Sequence, residues 1–258
     1  MTGRKGMAFH VIIIVLLGLA AIAVAFFSSF GRNNLADDVG SAVGEIERQF
    51  EEGNRMMAYI QYAGQFASCD AIKDDLKGGV VAGNDCMSIE GLPVLGNLER
   101  CKINRDNFRL GFLKHFKNKF NDYYKGRPFD FPENNYFFEV DVGEKFSVVG
   151  KAVKNLDVEG KNRYSIKPDF RVQNDFDFSK VEGIYSDIEG KRECLAKTDF
   201  SDLADDEKKL VRACELKNQD LNIRKIGDKL IVETDLNQKL CYYDKLRVKF
   251  VYQLTPAL

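Results

Sequence analysis

The sequence predicts an α+β protein: a long N-terminal helix, transmembrane at its start and amphipathic beyond, carrying an extracytoplasmic head built on an antiparallel sheet. Three observations predict it. Residues 6–31 hold no Lys, Arg, Asp or Glu, and all six cysteines follow that stretch. The spacing of apolar residues then changes from three or four to two beyond Asn135. With 38 Lys+Arg against 39 Asp+Glu, the 258-residue chain lacks the basic footprint that nucleic-acid binding requires. Two histidines leave little for chemistry that needs several imidazoles.

The apolar stretch comes first. Val11 to Phe27 is nearly all Val, Ile, Leu, Ala and Phe, and a helix of that composition is long enough to cross a hydrocarbon core of roughly 30 Å. Arg4 and Lys5 precede it, while Arg32 alone follows closely, so the positive-inside rule puts the N-terminus in the cytoplasm and the rest outside. Membrane lipid is therefore the first expected partner. A cleaved secretory signal would use Ala23-Val24-Ala25, and a plain uncleaved anchor is the alternative. His10, at the cytoplasmic edge, reads as an interfacial imidazole, because no other ionisable residue shares the span.

Residues 32–68 form the expected stalk. Leu35, Val39, Val43, Ile46, Phe50, Met57, Ile60, Ala63 and Phe66 recur mostly at three or four among charged residues, the pattern of an amphipathic helix. Span and stalk join into one predicted helix from about Met7 to Ser68, roughly 90 Å if straight. Gly31, Gly40, Gly44 and Gly53 are its soft points.

Residues 69–258 form the expected head. Cys69 to Arg105 reads as a looped region with Pro93. Phe108, Phe112, Phe116, Phe120 and Tyr124, each four apart, mark a helix beginning near Asn107 and ending at Arg127-Pro128. Phe138, Val140 and Val142 then alternate, and Gly143-Glu144 offers a two-residue turn into a strand from Lys145 to Gly150. Pro168 places the strand holding Tyr164, Ile166, Phe170 and Val172 at an edge, or ends it. Ser179-Lys180-Val181-Glu182 matches a capping box ahead of the helical face Val181, Ile184, Tyr185, Ile188 and Leu195. A short helix is expected over Leu203 to Leu216, then strands at Leu221–Ile226, Lys229–Thr234 and Leu246–Leu254, the first two joined by Gly227-Asp228.

Cys69, Cys86, Cys101, Cys194, Cys214 and Cys241 are an even set in a domain expected outside the cytoplasm, which reads as a disulfide framework. Sequence alone leaves the connectivity open. Pairing near neighbours would join Cys86 to Cys101 and Cys194 to Cys214, leaving Cys69 for Cys241; free buried thiols are the alternative. No C-x-x-C occurs, which argues against a zinc ribbon or a redox pair.

Arg4-Lys5-Gly6 immediately before the apolar run resembles the leader of archaeal type IV pilin-like proteins, which a prepilin peptidase cuts after the glycine. The resemblance implies cleavage between Gly6 and Met7 and, beyond the first 30 or so residues, extends only to architecture. It implies a surface subunit whose partners are further filament subunits or a homo-oligomer formed through the N-terminal helix. The glutamate frequent five residues into the mature helix of such subunits is Val11 here, and the head is large for a bulk pilin. A tip, minor or anchored role follows.

Nothing in the sequence specifies a catalytic residue, a metal site or a cofactor. His115, between Phe112 and Phe116, has no nucleophile signature beside it. Lys114 to Arg127 interleaves basic and aromatic residues, readable as a surface for an anionic polymer, a glycan or lipid, or as an ordinary helix burying Phe and wetting Lys. The acidic runs Asp157 to Glu159, Asp175-Phe176-Asp177 and Asp202 to Glu207 follow no EF-hand spacing. The expected function is a membrane-anchored, pilin-like or adhesion subunit acting by protein–protein contact. Its rivals are an uncleaved anchored sensor or scaffold and, third, an extracytoplasmic carboxylate-dependent hydrolase.

Overall fold

The computed structural model describes Leu19 and residues 35–80, 86–96, 98–124, 134–143, 145–160, 163–198, 212–218 and 220–254. The predicted membrane span, with His10 and the Gly6–Met7 junction, lies outside them. Among the described residues no helix is long and apolar enough to cross a membrane. The fold is α+β, with an N-terminal helix and mostly antiparallel sheets. Two compact units divide it: one takes the chain up to Asn54 with Asp157–Ser165, the other Arg55–Leu156 with Ile166–Leu258.

Helix α1, Leu35–Lys77, contributes to both units and runs unbroken through Gly40, Gly44, Gly53 and Gly64. It passes the predicted end at Ser68 because Ala71, Ile72 and Leu76 continue the apolar spacing and are fully buried. The chain leaves the helix where Gly79 takes a φ of +95° and Val80 one of +68°. A Cβ on Gly79 would lie 2.5 Å from Pro93, so glycine is required on two counts.

In the first unit Gln49 and Gly53 are buried, and a Cβ on Gly160 would strike the Gln49 side chain. Val43, Ile46 and Phe50, part of the apolar spacing that predicts the amphipathic helix, are 55–56% exposed.

The second unit is organised around α2, Arg105–Tyr124. Asn104 caps it, its Oδ1 accepting the Asn107 amide proton at 2.8 Å, which sets the start two residues before the predicted one. Phe108, Phe112, Phe116 and Phe120 are at most 1% exposed, each worth about 2–3 kcal/mol of burial. The stripe packs on a sheet of β3 (Tyr136–Val142), β4 (Phe146–Ala152) and β7 (Phe170–Asn174), in the order β3-β4-β7. Phe112 meets Phe146 edge-on at 4.6 Å, and Phe120 stacks on Phe170 at 5.2 Å. Val142 pairs with Phe146, so three residues make the β3–β4 turn rather than two. A two-residue turn would have paired Val142 with Lys145 and sent Phe146 to the other face. Pro168 ends the short strand β6 (Tyr164–Ile166), which pairs with β5 (Leu156–Val158).

Helix α3, Ser179–Gly190, and the short α4, Arg192–Lys197, together bury Val181, Ile184, Tyr185, Ile188 and Leu195. The predicted capping box does not form. Phe178 stands at the cap, its carbonyl accepting the Val181 and Glu182 amides, so Ser179 falls inside the first turn, where its amide and hydroxyl donate to Asp177 Oδ1 at 3.0 and 2.6 Å. The helix expected at Leu203–Leu216 lies largely outside the described residues; Arg212 and Ala213 are helical.

The second sheet has the order β1-β2-β10-β9-β8, from β1 (Ser88–Ile89), β2 (Leu92–Leu95), β8 (Asn222–Ile226), β9 (Lys229–Leu236) and β10 (Leu246–Gln253). Gly227 at φ +62° and Asp228 close the two-residue hairpin between Ile226 and Lys229. The stretch Cys69–Arg105, predicted as loops, therefore supplies the end of α1, two strands and the 3-10 turn Glu99–Cys101. β2 runs parallel to β10, so the head is not purely antiparallel. One contiguous core in this unit joins α1, α2, α3 and both larger sheets.

Candidate functional site

The six predicted cysteines form three disulfides: Cys69–Cys241, Cys86–Cys101 and Cys194–Cys214, with Cα separations of 6.3, 5.9 and 5.8 Å. All lie within the span that a bridge tolerates. Cys69–Cys241 ties α1 to the loop before β10, 172 residues away. That loop presents Tyr242 and Tyr243 to Asp70, one residue after Cys69. Tyr243 donates to Asp70 Oδ1 at 2.6 Å, Tyr242 donates to the same oxygen, and Tyr123 of α2 donates to Oδ2 at 2.9 Å. Burial alone would raise the Asp70 carboxyl, but the three hydroxyls hold it below the usual carboxylate range. Burial and the bond to Asp70 in turn push the Tyr243 phenol up to about 12 and raise those of Tyr242 and Tyr123. The three phenols stay protonated donors at neutral pH. Sequence reasoning passed this cluster by because its four members come from three separate stretches of chain.

His115 and Asp75 make a second constellation. Asp75 is 3% exposed, and its Oδ2 has no hydrogen-bond partner among the described residues. Gly111 of α2 leaves the notch that admits it, since a Cβ there would lie 2.4 Å from Oδ1. His115 Nε2 stands 4.0 Å from Oδ1, beyond hydrogen-bond range. Burial raises the Asp75 carboxyl well above its usual range and lowers the His115 imidazole, the latter only partly offset by Asp74. Burial thus disfavours the charged form of each, and at 4.0 Å the two make no hydrogen-bonded ion pair. Lys119, bound to Asp74 at 2.9 Å, keeps its charge on the solvent side.

A folded-state carboxyl pKa above the unfolded value contributes stability that is complete below about pH 4 and is lost as pH rises through the folded pKa. Asp75→Asn is therefore expected to flatten that decline and to stabilise the protein by about 1–3 kcal/mol at pH 7. Urea titrations at several pH values check this; a variant no more stable than the parent at pH 7 would show Asp75 to be satisfied as a charge.

Carboxylates also line a groove of about 440 Å³ on the second sheet, among them Asp220, Glu233 and Asp235, with Lys245 and Arg247. Arg247 reaches Glu233 at 2.9 Å and Asp235 at 3.0 Å. Both carboxylates are thus ion-paired to one guanidinium, whereas glycoside hydrolysis needs one held as a proton donor. Among the described residues no group of three or more His, Cys, Asp or Glu could hold a metal ion. Asp202–Glu207 lies outside them. Asp177 of the second acidic run accepts two hydrogen bonds from Ser179 at the start of α3.

The exposed helical face of the first unit is the remaining candidate. Val43, Ile46 and Phe50 stand three and four apart on α1, the spacing that a packed pair of helices uses. Glu45, Glu47, Arg48 and Glu51 alternate with them along the chain. No protein-family model, no curated protein and no solved structure matches the chain.

Proposed function

We propose that the chain is a membrane-anchored cell-surface subunit, pilin-like or adhesive, whose copies associate through the helix that follows the apolar N-terminal segment. The observation that carries this reading is the apolar face of Val43, Ile46 and Phe50, each more than half exposed and lying just downstream of the charge-free stretch 6–31. Three side chains at that spacing cost free energy in water and gain it against a like surface. Three disulfides support an oxidising, extracytoplasmic setting for the head. The Arg4-Lys5-Gly6 leader supports processing that would leave Met7 first.

Intact-mass measurement of the native protein is expected to give a chain starting at Met7. Cross-linking in membranes is expected to trap dimers from Ile46→Cys and Phe50→Cys, and several-fold fewer from Arg48→Cys on the opposite helical face. A chain retaining residues 1–6 and giving no dimer from any position would instead mark an uncleaved anchored sensor or scaffold.

A further inference from the structure

The last turn of α1 holds a carboxyl group where a helix least favours a carboxylate. Asp75 lies two residues before the end of α1 at Lys77, at the negative pole of the helix dipole. It is buried in the notch that Gly111 leaves, and its Oδ2 has no hydrogen-bond partner among the described residues. A carboxyl group so placed keeps its proton until water or a cation can reach it. The same turn closes the helix. The carbonyls of Asp74 and Asp75 accept the amides of Gly78 at 2.8 Å and Val80 at 2.9 Å, where Gly79 and Val80 take positive φ.

The charged groups nearby narrow what can answer an ionised Asp75. His115 stands one turn after Gly111 on the same face of α2, its half-buried ring holding Nε2 4.0 Å from Asp75 Oδ1. A shift of about 1 Å would bring the two to the spacing of a charge-assisted hydrogen bond. The lysines of both helices are engaged elsewhere. On α1, Lys73 lies over the Tyr243 ring at 3.8 Å, and Lys77 is exposed and two residues on, off the Asp75 face. On α2, Lys119 bonds Asp74 at 2.9 Å and is held charged by Asp70 and Asp122 as well. Lys114 and Lys119 oppose the charged form of His115, and Asp74 favours it. Strand β2, whose Pro93 abuts Gly79, is Leu92–Leu95 and carries no titratable group. His115 is therefore the group placed to pair with Asp75.

We propose that Asp75 and His115 form a proton-operated latch between the last turn of α1 and α2, closed while the pair holds at least one proton and opened when the last one leaves. With one proton between them, it rests on the carboxyl oxygen or moves from Oδ1 to Nε2, giving a carboxylate bonded to an imidazolium; both arrangements keep the crossing dry. Losing that proton leaves a bare carboxylate in the notch, and its hydration requires the last turn of α1 to part from α2. The parting frees the Gly78 and Val80 amides. Because the carboxyl group binds its proton more tightly in the closed state, closure is complete in acid and declines as pH rises. The latch lies wholly in the second unit and does not depend on association through α1, so either can fail without the other.

The test uses the full chain in phosphatidylcholine nanodiscs with nitrogen-labelled histidine. The sequence has two histidines, so His10→Gln leaves His115 as a single imidazole for NMR. Its nitrogen shifts are expected to change in two steps as pH rises, because two coupled groups release their protons as a pair. The second step is expected to coincide with a rise in hydrogen exchange of peptides covering residues 72–80. Asp75→Asn, which has no proton to lose, is expected to leave one His115 step. Above the pH of the parent's second step it is expected to slow exchange of those peptides about tenfold relative to the parent, and below it to change little. Comparing the two chains at each pH cancels base catalysis of exchange. His115→Gln is expected to move the opening to lower pH, because the carboxyl group then has no partner with which to share its proton.

A single His115 step in the parent, unmoved in Asp75→Asn, overturns the proposal. Exchange at residues 72–80 that is equal in parent and Asp75→Asn at every pH overturns it as well. Exchange that differs between them while His115 titrates in one step would assign the pH dependence to Asp75 alone and so remove the pair. The parent titration needs no substitution at the crossing: the coincidence of its second step with the rise in exchange decides the matter should either variant fail to fold.

Discussion

Serine at both Cys69 and Cys241 is expected to cost about 5 kcal/mol, against about 3 kcal/mol for either of the other two pairs. The difference comes from loop length: 172 residues separate Cys69 and Cys241, while 15 and 20 separate the others. Chain entropy in the unfolded state grows with the logarithm of the closed loop, so the longest bridge restricts it most. A second consequence is local. Without the bridge the loop carrying Tyr242 and Tyr243 is held to α1 by its hydrogen bonds to Asp70 and by ring contacts to Lys73 and Phe66, and ordering it must then be offset by those contacts. Urea unfolding of parent and paired-serine variants, followed by circular dichroism, orders the three bridges. Equal losses for all three would show that the unfolded chain is already compact enough to make loop length irrelevant.

Phe170→Ala is expected to destabilise the second unit by about 3–5 kcal/mol. The ring is 4% exposed and sits between two glycines: a Cβ on Gly150 would lie 2.2 Å from it, and one on Gly64 would lie 2.7 Å away. Gly150 is the cross-strand partner of Phe170, so the ring lies flat over the glycine backbone of β4. On its other side α1 approaches closely enough to touch it only because residue 64 lacks a side chain. Gly150→Ala should therefore cost about 1–3 kcal/mol, since the ring has nowhere to retreat. The two sites are in contact and should be strongly non-additive: Gly150→Ala in a Phe170→Ala background is expected to cost much less than alone. A double-mutant cycle read by thermal unfolding measures this. Additive losses would mean that ring and glycine do not share the slot.

Phe170 also explains which part of the apolar spacing of α1 is covered. Of the predicted Ile60, Ala63 and Phe66, the first two are buried and Phe66 is exposed, while Gly64 and Ala67 are buried beside them. The helix turns its small residues to the sheet because the sheet brings the bulk. Hydrophobic periodicity scores each residue on its own helix and cannot see that its neighbour has already filled the space. The phenylalanine stripe of α2 was legible for the converse reason: four identical rings on one face leave only one orientation that removes them from water.

The candidate sites divide in the same way. The cysteines were evident as a set. The Asp70 cluster draws on residues 70, 123, 242 and 243, and the Asp75 notch on residues 75 and 111, so no local window contains either. The turn before β4 is intermediate, because Gly143 marks its position but only the pairing of Val142 with Phe146 fixes its length.

By itself the amino-acid order determined the helix and strand periods, the glycine hairpin at 227–228, the charge-free leading stretch and the cysteine complement, all of which depend on neighbours a few residues apart. Only the tertiary structure decided which face of α1 is covered, that β2 joins β10 in parallel, and that three tyrosines meet one aspartate. Those outcomes depend on which surfaces exclude water together, and that is a property of packed pairs of elements rather than of any one of them.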